Sequence, residues 1–139
     1  MIWHIFYKSS DRIINWSTSA GVDDRIKTEQ ADAGLSYVQV EQDDLPIPEN
    51  FYVNTGEDGI TEKGNFNPTF STTTPAIDAI INVTGLPAGT EVFLDSVSKG
   101  TMSDTTLTLT ASEPGRFDVT FKKLEFKDLT QRIITAKQS

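Results

Sequence analysis

The chain has 139 residues, 37% of them hydrophobic, and a net charge of −8, a length that suits one typical domain or two small ones. That charge repels phosphate backbones and anionic lipid heads, so neither nucleic acid nor membrane is an expected partner. With no cysteine there is no disulfide framework, thiolate metal site or cysteine nucleophile, and stability must come from the core, a partner or oligomerisation.

The charge is uneven. Residues 1–75 hold 5 basic and 12 acidic residues, whereas residues 76–139 hold 7 and 8. A small basic group in the second half (Lys122, Lys123, Lys127, Arg132) suits an acidic protein surface. Threonine is over-used, with 18 copies, and this β-branched residue fits strands that keep one face wet.

In chain order, "IWHIFY" (2–7) and "RIINWST" (12–18) predict a hairpin turned by "KSSD". Both runs are apolar on both faces over part of their length, which predicts either burial on two sides or a face kept for a partner. The opening segment is too short for a membrane span of roughly 18 residues and lacks a basic leader. It reads as the first strand of the mature protein.

"GVDDRIKTEQADAG" (21–34) is the one helix expected, capped by Asp23 or Asp24 and closed by Gly34. "LSYVQVEQ" (35–42) returns to strand, and "FYVN" and "ITEK" flank a second hairpin across 51–63. "NFNPTFSTTTP" (65–75) has two prolines and no periodicity, and reads as a connection. This places an N-terminal β-rich attachment region at 1–66, a linker at 67–75 and a β-sandwich at 76–139.

From Ala76 the strand signal is clean. Ile77, Ala79, Ile81 and Val83 share a face, as do Val92 and Leu94. Leu107, Leu109 and Ala111 alternate with Thr106, Thr108 and Thr110, and Phe117, Val119 and Phe121 alternate with Asp118 and Thr120. "LEFKDLTQRIITA" supplies one or two closing strands. Turn signals about every ten residues fit an all-β sandwich, and Pro114-Gly115 suits a type II turn.

Gly85, Leu86, Pro87, Ala88, Gly89 and Thr90 enter a strand through Val92, Leu94 and Asp95. Glu113, Pro114, Gly115, Phe117 and Val119 form a second turn and strand. Together these resemble the small immunoglobulin-like domains of tailed-bacteriophage virion proteins. Phe117 stands where tyrosine is common there, so any corner hydroxyl bond would be missing. The layout, with its opening "MIWHIFY", looks most like a collar or tail-tip protein of long-tailed phages, which rings the tail and helps anchor fibres.

The resemblance implies an all-β chain: an immunoglobulin-like sandwich preceded by a hairpin-rich region with at most one short helix. It implies a non-enzymatic structural role in a phage tail, made in the host cytoplasm and located in the virion. The expected partners are further copies of the chain in a ring, tail-tube or tail-tip proteins, and fibre proteins. Trp3, Phe6, Tyr7, Trp16, Phe66 and Phe70 are assigned to those interfaces, because large aromatic residues are enriched at protein contacts.

No catalytic, cofactor-binding or metal-binding residue is assigned. His4 is the only histidine, and a lone histidine cannot build a His-rich zinc site. The pairs Asp23-Asp24, Asp43-Asp44 and Glu57-Asp58 fall in expected turns and caps. "NTGEDG" lacks the alternating acidic spacing of a calcium loop, and the GLPAG turn lacks the Gly-Lys-Ser/Thr of a phosphate loop. The alternatives are a carbohydrate-binding or adhesin-like module, which needs two exposed aromatic residues on one flat face, and a head-decoration protein. A small hydrolase would need two carboxylates within roughly 10 Å across a cleft.

Overall fold

Ile2–Tyr7 forms strand β1 and Ile14–Thr18 strand β2 in the computed structural model, which describes residues 1–135. Their connection turns through Arg12, at φ 58, with Asp11 Oδ1 accepting the Ile13 N–H at 3.0 Å. Helix α1 (Asp24–Asp32) is capped by Asp23, whose side chain accepts the Ile26 N–H at 2.9 Å. Gly34, at φ 86, ends the turn that follows. Strand β3 (Ser36–Glu41) then pairs with β1, giving an antiparallel sheet in the order β2-β1-β3.

The central place of β1 explains its two apolar faces. Trp3, Ile5 and Tyr7 pack with Ile14 and Val38, and with Phe51 and Val53 of the hairpin β4 (Phe51–Val53) and β5 (Ile60–Glu62). Phe6, on the opposite face, is also fully buried. Burial on two sides at Ile5, Phe6 and Tyr7 accounts for the pattern there, while Ile2 on the Phe6 face is exposed and His4 beside it is partly so.

The chain divides into two compact units at Gly64/Asn65. Strand β6 (Gly64–Asn65) straddles that division, and the second unit contains β7 (Thr69–Phe70), β8 (Ile80–Thr84), β9 (Glu91–Leu94), β10 (Val97–Thr101), β11 (Leu107–Thr110), β12 (Gly115–Lys123) and β13 (Phe126–Thr135). They form a five-stranded sheet, β10-β9-β12-β13-β6, and a three-stranded sheet, β11-β8-β7. Ile81 and Val83 from the smaller sheet share one core with Val92, Val119, Phe121 and Ile133 from the larger. Each buried aliphatic or aromatic side chain contributes about 1.5–3 kcal/mol relative to exposure.

Two expectations change here. The boundary falls at 64/65, so Phe66 belongs to the second unit and is buried in its core. Residues 67–75 do more than connect, since Thr69 and Phe70 pair with Thr84 and Val83, and Phe70 packs against the core. A two-residue strand is too short to leave a period in the sequence. The segment 136–139, included in the expected sandwich, lies outside the described residues.

The GLPAGT turn works as a joint. Gly85 and Gly89 take φ values of 80 and 89, which glycine adopts without strain. Leu86 is buried, and the hydroxyl of fully buried Thr90 donates to the Pro87 carbonyl at 2.6 Å. Next, Asp95 and Ser96 form the two-residue link between Leu94 and Val97, both at positive φ (48 and 69), as a type I′ hairpin requires. Asp95 Oδ1 accepts the Asp118 N–H at 2.9 Å, tying this turn to β12.

Two substitutions test the core and this turn. Phe121→Ala is expected to cost about 3–5 kcal/mol, read as a lowered urea midpoint. Ser96→Gly should raise the thermal midpoint, because relieving about 1–2 kcal/mol of left-handed strain outweighs glycine's entropic cost of about 0.5–1 kcal/mol.

Candidate functional site

The register of the first sheet sets an aromatic row across its three strands. Phe6 lies opposite Trp16 on β2 and Tyr37 on β3. The Phe6 ring stacks on Trp16 at 4.6 Å between centroids and tilts against Tyr37 at 5.3 Å. Helix α1 trims the row, with Lys27 Nζ 4.5 Å from the Tyr37 ring centroid and Gln30 Oε1 accepting the Trp16 indole N–H at 3.0 Å. One residue pair along, His4 Nδ1 lies 2.5 Å from the Tyr37 hydroxyl, and that hydroxyl reaches Gln39 Oε1 at 3.3 Å.

This face is polar-topped and half-open. Trp16 is 36% exposed, whereas Phe6 is sealed beneath it. Trp16 has one ring face against Phe6, and Lys27 sits over Tyr37.

The six residues assigned to interfaces separate on this evidence of burial. Trp3, Phe6 and Tyr7 are buried in the first unit and Phe66 in the second, so none presents a side-chain surface. Phe70 is half-buried against the core. Trp16 alone is exposed. The reason is economy of apolar area: small units bury their largest side chains first.

The acids occupy turns and hairpins. Asp23 caps α1, Asp95 holds β12, and Glu91 Oε2 accepts the Ser98 hydroxyl at 2.8 Å. Ser9 donates to Glu57. Among the described residues, no three His, Cys, Asp or Glu side chains gather as a metal site would require. In the second unit, an open groove runs along the β10 and β11 edges, lined by Leu94, Lys99, Met102, Leu107 and Leu109. A neighbouring one is lined by Val97, Thr110, Ala111 and Phe117.

Compared with protein-family models, curated proteins and solved structures, the chain matches none. The site is therefore read from its own geometry. Sequence reading passed over Tyr37, Lys27 and Gln30, because only strand register and the helix position bring them to Trp16. The one available signal was Tyr37 standing in an alternating strand, "SYVQV".

Tyr7 gives this unit a pH signature. Burial pushes its phenol above the ordinary value of 10.0, and a hydrogen bond to Glu57 and that residue's charge act in the same direction, with Ser36 opposing. The unfolded chain loses this proton first as pH rises, so the stabilisation is full below pH 10 and fades as pH climbs through the folded value. Tyr7→Phe is expected to flatten the alkaline loss of stability, measured as urea midpoints on either side of about pH 10.

Proposed function

We propose that the chain is a non-enzymatic structural protein of a phage tail, of the collar or tail-tip type, whose second unit is an immunoglobulin-like sandwich. The observation that carries this reading is strand order. With β7 to β13 taken as A, B, C, C′, E, F and G, the smaller sheet reads A-B-E and the larger reads C′-C-F-G with β6 added beside G. This order supports an immunoglobulin-like reading, with no D strand among the described residues. The residues behind the virion resemblance support it, since Leu86, Thr90 and Asp95 hold the fold together and leave no reactive group at the turn.

In this role the sandwich is a rigid spacer, and the first unit supplies contact surface through Trp16, Tyr37 and the α1 side chains. Copies pack head to tail into a ring, and tail-tube, tail-tip or fibre proteins bind the same assembly. Acidic surface on the first unit, with 5 basic against 12 acidic residues through Gly64, favours partners that present Lys and Arg.

The test is location. Purified virions of the phage that encodes the chain, treated with an antibody against it, are expected to carry label at the collar or tail tip by electron microscopy. Label confined to the head would replace this role with head decoration, and particles without the chain would end the virion reading.

A further inference from the structure

We infer that strand β11 is a self-complementary edge through which two copies of the chain pair about a two-fold axis. β11 is the outer strand of the β11-β8-β7 sheet. The Ala111 carbonyl accepts the Asp78 N–H and the Thr105 carbonyl accepts the Leu86 N–H, so alternate residues 105, 107, 109 and 111 point their backbone groups toward β8. The backbone groups of Thr106, Thr108 and Thr110 consequently point outward, and all three side chains are exposed.

The other edges of this unit are blunted. β10 carries Lys99 and breaks register between Ser98 and Thr101, with Gly100 at φ 107, and β6 and β7 are two residues each. Lysine, bulges and shortness are the ordinary protections of a sheet edge. β11, at four residues, carries no lysine and pairs without a bulge.

Its sequence also specifies the partner. Thr106-Leu107-Thr108-Leu109-Thr110 reads the same in both directions, so an antiparallel second copy centred on Thr108 sets threonine against threonine and leucine against leucine. Such pairs are favourable across strands. Residues 105–112 carry no charge in a chain of net charge −8. The same register sets Asp104 against Ser112 of the second copy and Glu113 against Ser103 of the second copy, so no acid faces an acid.

The Thr106 N–H is held by Asp104 Oδ1 at 3.1 Å. The N–H groups of Thr108 and Thr110 from both copies still supply four backbone hydrogen bonds with that cap intact. Pairing also shields the half-exposed Leu107 and Leu109. A contact of this length falls below the roughly 1,200 Å² of a standard stable interface, so the pair forms at high local concentration. A two-fold contact joins copies in pairs, whereas a ring needs head-to-tail contacts. The pairing therefore does not rest on the virion reading.

A cysteine scan tests it, because the chain has no cysteine of its own. In this register Thr108→Cys meets its own copy at about 5.5 Å between Cα atoms, within disulfide reach. Thr106→Cys lies four residues, about 13 Å, from its copy along the strand. Under mild oxidation the Thr108→Cys chain is expected to form disulfide dimers several-fold faster than Thr106→Cys, seen on non-reducing gels. Equal rates, or no dimer from either variant, would overturn the pairing. Both positions are exposed, and unchanged circular dichroism confirms that each variant is folded.

Discussion

Closing a core without any covalent brace is the constraint on which this molecule depends. Each unit has fewer than about 80 residues, the range in which a single core yields only a few kcal/mol of net stability. With no cysteine available, every large apolar side chain is worth more inside than outside. Hence Trp3, Ile5 and Tyr7 fill one face of β1 while Phe6 is sealed on the other. Phe66, Phe121 and Phe126 group in the second core for the same reason.

The polar residues follow from that commitment. A small core tolerates few long loops, so connections are tight, and tight connections leave N–H groups that need acceptors. Asp11, Asp23, Asp95 and Asp104 each accept a backbone N–H at or beside a turn or helix start. Four of the 20 acidic residues are thus committed to local geometry. On the larger sheet, Arg132 with Asp118 at 3.1 Å and Lys122 with Asp128 at 3.6 Å are exposed pairs. Such pairs add little to stability.

Much of the fold was legible in the sequence where burial imposes a period. β8, β11 and β12 alternate because one face of each meets the core, and α1 announced itself through Asp23 and Gly34. Legibility failed where burial imposes none. β10, "VSKGT", is exposed along its whole length and so carries no alternation, and β7 is too short to show any. The residues assigned to contacts differ in burial for a related reason. Aromatic character marks both cores and interfaces, and only the three-strand register separates sealed Phe6 from open Trp16.

The cores take up most of the aromatic residues, and the surface keeps, beside exposed aliphatic side chains such as Ile80, Val97 and Ile134, the Trp16–Tyr37 row and the backbone of sheet edges. Threonine makes the last of these usable. It keeps strands extended through β-branching and keeps their outer face wet, and it adds no charge to an already acidic chain. Thr120 and Thr130 show the cross-strand form of this contact, with hydroxyls 2.9 Å apart within one sheet. Thr108 and Thr110 stand on β11, a strand with no neighbour on its outer side among the described residues. A residue type selected for packing one strand beside another within the fold is equally suited to packing strands between copies.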